Sequence, residues 1–170
     1  MTHEQAQFLT TFLTGLWEGE FPATCKVLAA VPDAGHGYRP DDKSRTAREL
    51  AVHLVMSDLW FLDAVKAGSF GWDAEAEKSL SSACPTSASL VERYTAEFPK
   101  KLAEVRAMSG DDMTRTTDFF GMMKGPSVTF LGFGNNHSMH HRGQLASYLR
   151  AMGSKVPAIY GGSADEPMQS

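Results

Sequence analysis

The stretch "NNHSMHHRGQL", residues 135–145, holds three of the six histidines of this 170-residue chain within five consecutive positions. Whether it is helical decides the fold. Around it Phe130, Phe133, Gly134, His137, His141, Leu145, Tyr148 and Met152 recur at the three- and four-residue spacing of one helix face. Pro126 or Ser127 suits the first helical position and Gly153 the stop, so a helix is expected over about 126–152. Residues four apart on a helix lie about 6 Å apart on one face, which lets His137 and His141 converge on a single ion. His140 projects about 100° away. Pairing it with His137 instead would leave His141 without a role.

Three more helical patterns precede this one. Thr2 and Gln5 form a capping box ahead of Phe8, Leu9, Phe12, Leu13, Leu16 and Trp17, which share a stripe. This helix is expected over about 2–31, kinked or broken near Glu20 by Pro22. Thr46 and Glu49 box the start of a second helix, about 46–67, with Leu50, His53, Leu54, Phe61 and Val65 in its stripe and Gly68 as its stop. Ser89 and Glu92 open the third, about 89–109, where Leu90, Tyr94, Phe98, Leu102, Val105 and Met108 align and Pro99 is expected to kink or split the helix. "GSFGWDAEAEKSLSSACP" reads as a long loop, "DDMTRTTDFFGMMKG" as irregular with a short extended piece near 119–123, and 153–170 as a loop tail with frayed last residues. The expectation is one all-α domain over 1–170, a four-helix bundle whose connectors are long enough to allow a crossover.

Composition narrows the function classes. Hydrophobic residues at 42% and charged residues at 21% are those of an ordinary globular protein. A net charge of −4 without a basic cluster argues against nucleic acid and against anionic membranes as partners. No apolar run approaches the ~20 residues of a membrane span, and no basic residues lead an apolar signal core, so a cytoplasmic protein is expected. Cys25 and Cys84 are too few for a disulfide framework or a cysteine-rich zinc site.

His53 falls in the core stripe of a second helix, where a bundle builds metal sites from inward-facing side chains. With His137 and His141 it would offer three neutral imidazoles, a set suited to zinc, nickel, copper or iron, with a coordination position left over. Spacing alone leaves a second reading open, in which these are hydrogen-bonded core histidines.

The residues also resemble a family. "NNHSMHHRGQLASYLRAMG" is similar to the last helix of the DinB/YfiT-like proteins, with its N-H-x-x-H-H-R-G-Q pattern. "SRTARELAVHLV" looks like that family's second helix with its single metal-binding histidine, and the closing "VPAIYG" also fits. The likeness runs in order over nearly the whole chain. It implies a four-helix bundle with a crossover connection, a divalent transition metal (zinc, nickel or iron) held by His53, His137 and His141, and frequent homodimers. Met139 departs from the small polar residue of many relatives and is expected to affect packing only. Gln144, one turn past His141, is placed either to orient that ligand or to make an ordinary helix-surface bond. Arg142 reads as a packing or dimer contact, Glu49 as a cap, and Asp58 and Asp63 as solvated.

Some members of that superfamily act on small molecules with a low-molecular-weight bacterial thiol as cosubstrate. The resemblance therefore implies a metal-dependent thiol S-transferase or related detoxification enzyme. Hydrolysis of small amides or esters is the alternative, although Ser138, Met139 and His140 stand where an H-E-x-x-H site carries its glutamate base. A third reading is a non-enzymatic metal-binding stress protein, its fourth position closed by a carboxylate such as Glu49.

Overall fold

The computed structural model describes residues 1–168. Its order is α1 (His3–Ala29), α2 (Ala47–Ala67), α3 (Ala76–Ala83), α4 (Ser87–Arg106), α5 (Gly110–Thr114), strands β1 (Thr116–Phe119) and β2 (Met123–Pro126), then α6 (Thr129–Leu149). Four of these are long, and α1, α4, α2 and α6 follow one another around a ring in which each packs on the next and α6 closes on α1. Chain neighbours α1 and α2 therefore stand across the diagonal, as do α4 and α6, so both connections cross the end of the bundle. This is the crossover bundle that the connectors allowed and the family resemblance implied.

Local chemistry sets the helix ends. Thr2 with Gln5 and Thr46 with Glu49 each form a reciprocal capping box, and Gly68 closes α2 in the left-handed conformation at φ 71°. The third long helix starts earlier than expected. Its cap is Thr86, which pairs with Ser89, so Ser89 is the fourth residue of the box and Glu92 is not part of it. Neither Pro22 nor Pro99 breaks its helix. Both prolines lie on the exposed face. The carbonyl that each leaves without a donor there can turn to water.

Burial corrects the stripe of α1. Phe8, Phe12 and Leu16 are exposed, at 69%, 52% and 47%, while Ala6, Thr10, Thr14 and Trp17 turn inward. The threonines can be buried because Thr10 Oγ donates to the Ala6 carbonyl at 2.8 Å and Thr14 Oγ to that of Thr10 at 2.7 Å. Trp17, Phe61, Tyr94, Phe98 and Phe130 fill the middle of the bundle. Each such side chain contributes about 1.5–3 kcal/mol relative to exposure. The α1–α6 crossing depends on Gly134, where an added Cβ would stand 2.6 Å from the Trp17 ring.

The expected loop over 68–85 contains α3, and the irregular segment after α4 contains α5 and a β-hairpin. Pro126 ends β2, so α6 begins at Thr129; a 3-10 turn over Arg150–Met152 then leads to Gly153 at φ 76°. Asp58 is not solvated. It is fully buried and accepts from Tyr94 Oη at 2.6 Å and Ser138 Oγ at 2.8 Å, tying α2 to α4 and α6. Asp63 is exposed and pairs with Lys101 at 2.5 Å. The tail is tied down at Asp165, which accepts from Arg150 Nε and the Val156 amide, both at 2.9 Å. The fraying expected of the last few residues falls in part on 169 and 170, which lie outside the described residues. No helix among the described residues is long and apolar enough to cross a membrane.

Candidate metal centre

Packing of α2 on α6 brings His53 against the His137–His141 face. The His53 ring centroid stands 5.2 Å from that of His137 and 4.6 Å from that of His141. One ring nitrogen from each of the three lies within 4.8 Å of the others. His137 Nε2 and His141 Nε2 are 3.1 Å apart. Two nitrogens bound tetrahedrally to one zinc at about 2.0–2.1 Å would be about 3.3 Å apart, so this spacing, which also suits a hydrogen bond between the two rings, is compatible with a shared ion.

The outward nitrogens fix the orientation of two rings. His53 Nδ1 lies 2.7 Å from Glu77 Oε1, so the proton sits on Nδ1 and the Nε2 lone pair faces the cluster. Glu77 is held in turn by Arg45 at 2.7 Å. Helix α3, which carries Glu77, is anchored by Arg48, whose guanidinium donates to the Ser81 carbonyl at 3.1 Å and to that of Cys84. His141 Nδ1 lies 2.7 Å from Gln144 Oε1, a bond on the exposed surface of α6 that also holds the His141 ring. His137 Nδ1 is buried without a hydrogen-bond partner.

All three imidazoles are held neutral. Burial pushes His137 down to about 3, and the neighbouring His141 and His53 add to the effect. Burial also lowers His53 and His141, outweighing the opposing bonds to Glu77 and Gln144. Burial acts to raise the Glu77 carboxyl, but Arg45 and His53 together hold it below the usual carboxylate range. The cluster thus presents uncharged donors backed by an ionised carboxylate, the protonation pattern a divalent cation requires. The donor set has the capacity for a divalent metal and does not single out one element.

No carboxylate joins the three histidines among the described residues. Glu49 is occupied at the α2 cap, where it accepts from the Thr46 amide at 2.8 Å. His140 is exposed and outside the cluster. Arg142 is buried in an ion pair with Glu20 at 2.6 Å, a packing contact between α6 and α1. Cys84 is buried and Cys25 half-buried, with burial pushing the Cys25 thiol up to about 11. Neither cysteine joins the histidine cluster among the described residues, and the raised Cys25 thiol is a poor nucleophile.

Beside the cluster lies a cavity of about 310 Å³, with His53 and His137 in its inner wall. Met56, Ser57, Trp60 and Phe61 of α2 and Phe133 of α6 form its floor. Phe119, Phe120 and Met122 of the hairpin, with Trp72, Asp73 and Ala76 near the start of α3, enclose the rest. Of the three tryptophans, Trp60 and Trp72 line this space and Trp17 is core.

A crossover helical bundle with a three-histidine candidate metal centre at one helix pair defines the class of protein. Comparison adds the family: the model of the DinB family matches residues 7–169, and the chain belongs to that family. A DinB-like protein from Bacillus cereus shares 23% identity, with 87% of this chain and 95% of that one covered at a TM-score of 0.67. A DinB-like protein from Bacillus subtilis shares 20% identity, with 92% and 99% covered at a TM-score of 0.64. Both share the fold. No curated protein matches.

The sequence reading missed Glu77, the hairpin roof and the burial of Asp58. For Glu77 a signal existed: "DAEAEKSL" places acidic residues ahead of good helix formers, as at a helix N-terminus.

Proposed function

We propose that the chain is a metal-dependent enzyme that joins a low-molecular-weight thiol to a small electrophile at the centre formed by His53, His137 and His141. The observation that carries this reading is the open side of the cluster. Three neutral imidazoles converge without a fourth protein donor among the described residues, and the cavity begins at two of them. A purely structural site would be closed by the protein. A divalent ion held there would supply Lewis acidity, favouring the anion of a thiol near neutral pH.

The chain's own residues supply the rest. Glu77 and Gln144 hold two rings in the donor tautomer, and the aromatic walls offer the electrophile an apolar surface. In the transfer, sulfur bonds to the electrophilic carbon, the leaving group departs with the bonding pair, and the thiol proton passes to solvent. Hydrolysis is the weaker alternative, because no carboxylate joins the cluster as a base among the described residues.

The test uses protein purified without an affinity tag or chelating resin, analysed for metal and then assayed with bacterial thiols and 1-chloro-2,4-dinitrobenzene. Metal-dependent loss of thiol with chloride release is expected. His53→Ala and His141→Ala should lose both metal and turnover. Metal-loaded protein that neither binds nor consumes any thiol overturns the proposal, and thiol-free turnover of activated esters would favour hydrolysis.

A further inference from the structure

We propose that the cavity beside the histidines binds an uncharged, flat aromatic group of one or two rings, and that the substrate of the centre carries such a group. The substrate assignment rests on the reading above; the binding site does not.

Three observations converge. The first is wall chemistry. Trp60, Phe61 and Phe119 present aromatic surfaces, and no lysine or arginine lines the space to balance an anion. Its single acid, Asp73, is turned to its own loop, where Oδ1 accepts from the Glu75 amide at 2.9 Å. Away from the two histidines, ionised ligands would lose hydration here without compensation. The second is size. About 310 Å³ lies at the lower end of the range for small-molecule pockets, enough for a compact ring system.

The third is Phe120. The hairpin turn is closed by the Met122 amide donating to the Phe119 carbonyl at 3.0 Å, and its central residues, Phe120 and Gly121, both have positive φ, 54° and 73°. Such turns favour asparagine or glycine at both places, so phenylalanine is a strained choice. What the strain achieves is placement: the Phe120 ring lies parallel to Trp60, 8° from coplanar with centroids 6.3 Å apart. Trp72 and Met122, at 71% and 74% exposed, stand in the same wall. Large apolar groups gathered at a cavity rather than scattered over the surface mark a binding site.

The experiment uses chelator-treated full-length protein and the neutral two-ring fluorophore 6-propionyl-2-dimethylaminonaphthalene, read by its emission and by energy transfer from tryptophan. Saturable 1:1 binding is expected, and naphthalene-2-sulfonate should compete at least tenfold less well than naphthalene. Phe120→Asn relieves the turn, so its Tm should hold or rise while affinity falls at least fivefold. Ala76→Trp, which fills the cavity from a half-buried position, should abolish binding with helical circular dichroism unchanged. Absence of saturable binding overturns the inference, as does binding that neither variant weakens or that only Phe8→Ser/Phe12→Ser removes. Because no metal is present, those outcomes leave the metal centre standing. Failure of metal uptake alongside normal probe binding would remove the proposed reaction and keep the aromatic site.

Discussion

At His53 a single contact separates a ligand from a core histidine. The Glu77 carboxylate, 2.7 Å from Nδ1, fixes the tautomer and makes Nε2 a stronger donor. Glu77→Gln should therefore cost about 10–100-fold in zinc affinity while metal-free stability changes little, measured by competition with a chromophoric chelator. Equal affinity would mean that the contact is an ordinary ion pair. Asp58 provides the second test. Burial raises its carboxyl to about 7, against the pull of Tyr94 and Ser138, so the folded state holds its proton more tightly than the unfolded chain. A raised carboxyl contributes stability at low pH that is lost as pH climbs toward the folded value. Asp58→Asn should thus gain on the wild type by about 3 kcal/mol between pH 5 and pH 8, since each unit corresponds to about 1.4 kcal/mol. Urea titrations of the metal-free proteins at both pH values measure that difference, in which the histidine contributions cancel. The spacing of His137 and His141 was legible because helical phase alone sets which face they share. The burial of Asp58 was not, since an aspartate carries the same letter whether it faces water or Tyr94.

Among the elements, those with long apolar periods were readable and those whose burial depends on polar or short segments were not. Helix α2 was placed closely from Thr46, Glu49 and Gly68 because caps act locally. Helix α3 has only Leu80 as a large apolar residue and is held instead by Arg48 reaching its last carbonyls, a contact no local pattern encodes. In α1 the sequence stripe took in Phe8 and Phe12, whereas the bundle used threonines that satisfy their own hydroxyls. Helix α6 permits a controlled comparison between two of its glycines. At Gly134 a Cβ would meet the Trp17 ring at 2.6 Å and Phe61 Cβ at 3.1 Å; at Gly143 it would meet nothing within 4 Å. Gly134→Ala should lose about 1–2 kcal/mol net, because overpacking outweighs the gain in helix propensity. Gly143→Ala should gain about 0.5–1 kcal/mol. Thermal melts would then move in opposite directions, by about 2–4 °C per kcal/mol for a chain of this length. A stable Gly134→Ala protein would show that the α1–α6 crossing can open without loss.

For the whole molecule, the ring order α1–α4–α2–α6 sets the centre on one helix pair, while Trp17, Tyr94 and Phe98 fill the core from the other elements. Residue spacing indicated four helices; the family resemblance supplied the crossover, since connector length permits either order. What this packing leaves uncovered bears on assembly. Phe8, Phe12 and Leu16 stand exposed at four-residue intervals, the first two rings stacked with centroids 6.4 Å apart, and Gly15 and Gly19 nearby have open space where a Cβ would be. A row of apolar side chains beside small residues suits close approach of a second helix, and a second copy of α1 offers the same row in return. The family resemblance implies homodimers, and we propose that two copies pair through α1. Sedimentation velocity should then show the wild type as a dimer and Phe8→Ser/Phe12→Ser/Leu16→Ser as a monomer, with helical circular dichroism unchanged because none of the three side chains is in the core. If the triple variant sediments like the wild type, α1 is not the contact.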